Sequence, residues 1–175
     1  MLSERLTYRP LGLADQGAFH DLVQDPHIRE YLLDGNTLPP SWSAEQVRRS
    51  QALFARLGVG LWLAYEAASG ELIGFCGFLV LPEVHDRPEL VYAMRARFTG
   101  RGYATEMARA SIAEARAQPA FDHEILASVD QVNRASVRVL EKLGFARVGS
   151  VPGAFGNVSL LRLAAPLPDD DAPPR

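Results

Sequence analysis

The residues whose types and spacing could do chemistry lie in Gly100-Arg101-Gly102-Tyr103-Ala104. This glycine-bearing turn sits between a strand pattern over 89–94 and a helical pattern over 103–117. Two glycines let a backbone turn tightly and approach a ligand closely. The helix behind them aims its first N–H groups at whatever occupies the turn, and its dipole favours an anion. The turn therefore reads as a cradle for the diphosphate of a nucleotide-like cofactor, although the same glycines would serve a plain strand-to-helix connection. A dinucleotide fingerprint needs Gly-x-Gly-x-x-Gly, and Thr105 stands where the third glycine belongs. A P-loop needs Gly-Lys-Ser/Thr, which is absent. The residues before the turn pattern as antiparallel strands, so a nucleotide-binding oxidoreductase is disfavoured. What remains is a cofactor with a diphosphate and a long arm.

The elements that must position this turn follow from periodicity and punctuation. Residues 6–11 alternate as a first strand, and 14–24 form a helix with Ala18, Phe19, Leu22 and Val23 on its apolar face. Asp25-Pro26 stops that helix, and 27–40 runs from a short helix into a loop. Ser43 and Gln46 match a capping box, which predicts a helix from there to Leu57 with Gly58 as its C-cap. Strands follow at 60–66 and 72–81, joined by a hairpin turn. Gly74 and Gly77 inside the second of these predict a bulge or close packing. After the helix from Tyr103, a fifth strand over 124–129 should lie parallel to the fourth, because a crossover helix separates them. A short helix over 133–143, closed by Gly144, and two last strands over 145–151 and 157–164 complete the chain. The sum is one mixed α/β sheet, antiparallel at first, with a single parallel βαβ unit around the glycine turn.

The 175 residues suit one domain over 1–165, and the Pro- and Asp-rich segment 166–175 reads as a tail. A net charge of −3 disfavours a nucleic-acid groove or an anionic membrane surface. The chain has no run of about 18 apolar residues and no leader pattern, so a cytoplasmic protein is expected. The one cysteine, Cys76, lies in an apolar strand and reads as a structural thiol. No metal site is expected.

Two stretches together resemble the GNAT (Gcn5-related) N-acetyltransferases. The segment from Tyr92 to Met107 looks like their acetyl-CoA-binding motif, and Asn133-Arg-Ala-Ser136-Val-Arg-Val-Leu-Glu-Lys-Leu-Gly-Phe145 looks like their second motif. The flavour is that of the ribosomal-protein N-terminal acetyltransferase-like branch, and the resemblance covers residues 5 to 165. It implies an α+β fold with a mostly antiparallel sheet of about seven strands and splayed parallel fourth and fifth strands, flanked by helices. It also implies an acetyl-CoA-dependent N-acetyltransferase acting on a primary amine by direct attack in a ternary complex. A small molecule or a peptide could supply that amine, and a homodimer is compatible. The family pattern falls on Thr99, Gly100, Arg101, Gly102, Tyr103 and Ala104, with Thr99 departing from the usual Gln or Arg. The fourth strand should end in a bulge, and the pantetheine arm should pair with its backbone near Met94. Asn133, also a good N-cap, is implied to contact the pantetheine, and Ser136 to lie near the thioester sulfur, where it could be a proton donor or serve only in positioning or packing. Many relatives use a tyrosine for that donor, and the helix here has none.

An aliphatic amine has a pKa near 10, so a general base is needed at neutral pH. Glu89 is the first candidate, with His85, Asp86 and Asp130 behind it. The branch often carries an acid just after Gly-Phe of the closing strand, where this chain has Ala146-Arg147-Val148-Gly149. The missing acid and tyrosine leave a non-catalytic acyl-CoA-binding module as the alternative. Residues 28–42 are expected to shape the acceptor pocket.

Overall fold

The computed structural model describes residues 1, 3–81, 86–121, 124–153 and 156–163. The proposed tail 166–175 and His85 lie outside the described residues. The strands are β1 (Leu6–Pro10), β2 (Leu61–Glu66), β3 (Leu72–Val80), β4 (Pro88–Met94), β5 (Leu126–Asp130), β6 (Phe145–Gly153) and β7 (Gly156–Leu163). They form one sheet in the order β1-β2-β3-β4-β5-β7-β6. All neighbours are antiparallel except β4 and β5. The helices are α1 (Gln16–Val23), α2 (Pro26–Leu32), α3 (Pro40–Leu57), α4 (Tyr103–Arg116) and α5 (Arg134–Lys142).

Strand alternation divides the core in two. Leu61, Leu63, Phe75, Leu79 and Val91 turn to one face, where Phe19, Leu22 and Val23 of α1, Ile28 of α2 and Val47 of α3 cover them. Phe78, Leu90, Ala127 and Val129 turn to the other face, under Ala108, Ile112 and Ala115 of α4 and Leu140 of α5. Both faces of the central strands are therefore buried, and β3 reads as a nearly continuous apolar run. Its glycines serve close approach. A Cβ on Gly77 would stand 2.0 Å from the carbonyl oxygen of Gly60, and the backbone there holds φ +133°. The β2–β3 register slips between Ala64 and Tyr65, beside Gly74, which places a bulge where the glycines predict one.

Two local expectations fail. The capping box at Ser43 does not start a helix. Helix α3 begins at Pro40, with Pro39 as its N-cap in extended conformation. Proline at the first helical position loses no hydrogen bond and has its φ already set, so the prolines open the helix rather than delay it. Ser43 is instead buried and shares a 2.9 Å hydrogen bond with Nδ1 of His20. The first helical stretch is also divided, a 3-10 turn at Leu13–Asp15 running into α1.

Candidate active site

Strand β5 meets β4 at a single registered pair, Glu89↔Leu126, and departs from it beyond that point. On its other side β4 keeps an unbroken antiparallel register with β3 from Pro88 to Met94. The bulge expected at its end is thus not found, and the opening comes from the departure of β5 alone. The peptide N–H of Arg95 bonds the carbonyl of Ile73 at 2.9 Å. Backbone alternation then turns the peptide groups of Tyr92 and Met94 the other way, toward the gap left by β5. The gap belongs to a cleft of about 1140 Å³.

The glycine turn closes one end of this cleft. Thr99, Gly100, Gly102, Tyr103 and Ala104 line it, as does Met94. Gly100 and Gly102 hold φ +75° and +82°, the left-handed region that glycine occupies without penalty. Among the described residues the N–H groups from Gly100 to Thr105 have no backbone acceptor, and that of Glu106 is the first to be paired, to the carbonyl of Gly102. The turn therefore presents a row of free donors at a helix N-terminus, the arrangement that binds a phosphate. Thr99 contributes backbone there, because its hydroxyl donates to the carbonyl of Ala96 at 2.7 Å. Tyr103 likewise points its phenol away, donating to Glu66 at 2.7 Å. Arg101 is not in the lining. Its guanidinium lies 3.9 Å from Glu66, so no side-chain contact to a ligand in the cleft is seen for it.

A brace from the N-terminal segment fixes the turn. The Arg5 guanidinium donates to the carbonyl of Arg101 at 2.9 Å and to Glu106 at 2.9 Å, while the Arg5 N–H and the Ser3 hydroxyl also donate to Glu106, at 2.8 and 2.7 Å. Burial pushes the Glu106 carboxyl up, but these donors outweigh it and hold the group below its ordinary value. About a hundred residues separate the partners, so nothing in the local pattern announces the pair.

The two faces of the sheet bring different chemistry to the gap. On the face of α4 and α5, Asn133 caps α5 by accepting the N–H of Ser136 at 3.1 Å. The Ser136 hydroxyl lies 2.8 Å from the phenol oxygen of Tyr92. All three residues line the cleft. Helix α5 has no tyrosine, as expected, but β4 brings one, Tyr92, beside Ser136. The signal was present, because Tyr92 lies two residues before Met94 on a strand whose alternation places it beside α5. Burial pushes the Tyr92 phenol up to about 12, opposed by its hydrogen bond to Ser136.

On the face of α1, α2 and α3, Glu89 is 1% exposed and lines the cleft. Its Oε1 accepts the Ser128 hydroxyl at 2.7 Å. Asp130 follows two residues along β5 on the same face and is also buried in the lining. Burial, then the nearby Asp34, raise its carboxyl above the ordinary value. Asp86 is exposed and outside the lining. From 28–42, the residues Ile28, Tyr31, Asp34 and Trp42 form part of the wall. Cys76 is buried, and burial pushes its thiol up to about 12, which suits a structural thiol.

Residues 5–146 match the family described as acetyltransferase (GNAT) domain. The chain belongs to the GNAT acetyltransferase family. It is 30% identical over 147 residues to protein YkkB of Bacillus subtilis, covering 82% of this chain and 83% of that one. In fold it is similar to a GnaT-family acetyltransferase of Bordetella pertussis, with a TM-score of 0.78, 22% identity, and 94% and 98% of the two chains covered. It is also similar in fold to AAC(6')-Ib, whose structure was solved with paromomycin and acetyl-CoA, at a TM-score of 0.71, 21% identity, and 91% and 93% coverage. The seven-stranded sheet with parallel β4 and β5 is the fold the motifs imply. The finer resemblance to the ribosomal-protein N-terminal branch has no support in these relatives. Among the described residues no helix is long and apolar enough to cross a membrane, and no group of three metal-ligating side chains occurs.

Proposed function

We propose that this GNAT domain is an N-acetyltransferase that moves an acetyl group from acetyl-CoA to a primary amine by direct attack in a ternary complex. The observation that carries the reading is a gap through the sheet with a buried carboxylate on one face and a tyrosine–serine pair on the other. Acetyl-CoA bound by a structural neighbour is consistent with it.

The free N–H groups of 100–104 fit a pyrophosphate, and the unpaired β4 edge at Tyr92 and Met94 fits the two amides of pantetheine, which need partners once buried. Asn133 spends its oxygen on the helix cap, which leaves its amide N–H₂ to donate to the arm. The acetyl thioester supplies the activated carbonyl carbon. An amine nitrogen arriving from the α2 side attacks that carbon, its excess proton goes to Glu89, and the carbon–sulfur bond breaks. The backbone N–H groups of the β4 edge are the donors available to the developing oxyanion.

Tyr92 and Ser136 meet the departing sulfur. Burial keeps the Tyr92 phenol protonated at neutral pH, so the pair can donate a hydrogen bond or a proton to the developing thiolate, the role expected of Ser136. The acceptor is a small amine or a peptide that reaches Glu89 past residues 28–42, and the domain works in the cytoplasm, with residues 1–165 as one unit.

Thermal melting with acetyl-CoA and thiol release across a panel of amines test the reading. At 100 times Kd the cofactor should add about 2.7 kcal/mol, which for this chain length is a rise of roughly 5–11 °C. No shift at millimolar acetyl-CoA overturns the cofactor assignment. A shift without thiol release from any amine favours the non-catalytic acyl-CoA-binding module.

A further inference from the structure

The acceptor side of the cleft holds a carboxylate that the transfer step does not use. Asp130 is 8% exposed and lines the cleft, and its carboxylate has no hydrogen bond or ion pair among the described residues. Its unpartnered carboxylate oxygens are not sealed in the core but open to the cleft, where a ligand group can complete their hydrogen bonding. The arginines and lysine that line the same cleft, Arg49, Arg134, Arg138 and Lys142, do not pair with it, and Arg49 is engaged by Glu45 at 3.1 Å. Another carboxylate, Asp34, lies in the cleft wall beyond α2 and acts electrostatically on Asp130. Asp34 takes part in no hydrogen bond or ion pair of its own among the described residues, and its backbone holds φ +51°.

We propose that Asp130, with Asp34 opposite, receives a second cationic group of the acceptor, so that the preferred acceptor is a diamine or polyamine rather than a monoamine. The proposal rests on the acetyl-transfer reading of this cleft for the first amine. Two carboxylates from separate elements, with no third ligand grouped with them among the described residues, suit an organic ammonium better than a hard metal ion, which takes six or more oxygens. The spacing supports the same class. Ser128, which holds Glu89, and Asp130 are two residues apart on one face of β5, a separation of about 7 Å. An amine presented to Glu89 can therefore place a second ammonium at Asp130 if a short alkyl chain joins them.

The experiment compares putrescine and cadaverine with butylamine, in wild type, Asp130→Asn and Asp34→Asn. Thiol release gives kcat/KM, and calorimetric titration of putrescine gives binding independently of turnover. Wild type should prefer the diamines. Asp130→Asn should lower kcat/KM for putrescine by about 10- to 100-fold more than for butylamine, the worth of one hydrogen bond to a charged group. The loss should fall mainly on KM, and putrescine binding should weaken in parallel. Asp34→Asn, at an exposed position, should produce a smaller change in the same direction. The acetyl-CoA thermal shift should persist in both variants, which separates a lost cation site from a lost fold. Diamine binding that depends on Asp130 in a protein that releases no thiol would sustain the cation site and overturn the transfer reading. Equal losses for putrescine and butylamine would assign Asp130 to the reacting amine and overturn the proposal. So would putrescine binding that ignores both substitutions, or no diamine binding at all.

Discussion

Replacing Glu89 by glutamine tests the chemistry most directly. The side chain is buried, and its Oε1 accepts the Ser128 hydroxyl at 2.7 Å. Glutamine has nearly the same volume and keeps an oxygen for that bond, so the fold should survive with a stability change of about 1 kcal/mol or less. What disappears is the ability to take a proton. At pH 7 on the order of one part in a thousand of an aliphatic amine is neutral, and a positioned base is worth about 10²–10⁴ in rate. Glu89→Gln should therefore lower kcat by that factor, about 3–5.5 kcal/mol of barrier, and leave the acetyl-CoA thermal shift unchanged. The pH profile sharpens the test. Without an internal base the variant depends on amine that is already neutral, so its rate should rise about tenfold per pH unit from 7 to 9, more steeply than wild type. Thiol release with the best amine of the panel measures both. A kcat within about threefold of wild type, at an intact thermal shift, would remove Glu89 from catalysis.

Tyr92→Phe and Ser136→Ala should each lower kcat about tenfold without weakening acetyl-CoA binding, and the double variant should lose less than the product, because the two hydroxyls form one unit 2.8 Å apart. Strict additivity in thiol-release kinetics would separate them. Gly102→Ala forces an L-residue to φ +82°, at a cost of about 1–2 kcal/mol. Its Cβ would also lie 3.4 Å from the Arg5 guanidinium. The melting temperature should fall by roughly 2–8 °C, with weaker protection by acetyl-CoA; an unchanged melt would contradict the observed turn. Glu106 has a folded pKa below its unfolded value, so its stabilisation is full above the ordinary carboxylate range and is lost as pH falls through the folded value. The melting difference between wild type and Glu106→Gln should therefore be largest above the ordinary carboxylate range and shrink as pH falls below it. A gap that widens on acidification would refute the Arg5–Glu106 brace.

Local features were legible in the sequence because local physics decides them. Gly100 and Gly102 are required by positive φ within a few residues of a helix start, and Asn133 caps α5 through a bond that spans three residues. The crossover helix between β4 and β5 made them parallel. Even so, a local rule misled at Ser43, where Pro39 and Pro40 offered a better helix start three residues earlier.

The tertiary structure alone decided what depends on contacts between distant residues. It inserted β7 between β5 and β6, and it set where β5 leaves β4, since backbone pairing across the sheet carries no local signal. It brought Tyr92 to Ser136 across 44 residues and Arg5 to Glu106 across 101, two pairings that no local pattern announces. It also sorted the polar groups by face, because a strand's period of two becomes a direction only once one face is packed. On that ground Glu89 and Asp130 stand on the face of α1, α2 and α3 and Tyr92 and Ser136 on the face of α4 and α5. The sequence determined that a phosphate-sized turn and a capped helix flank one parallel strand pair; the packing of the sheet determined which groups face each other through the opening between those strands.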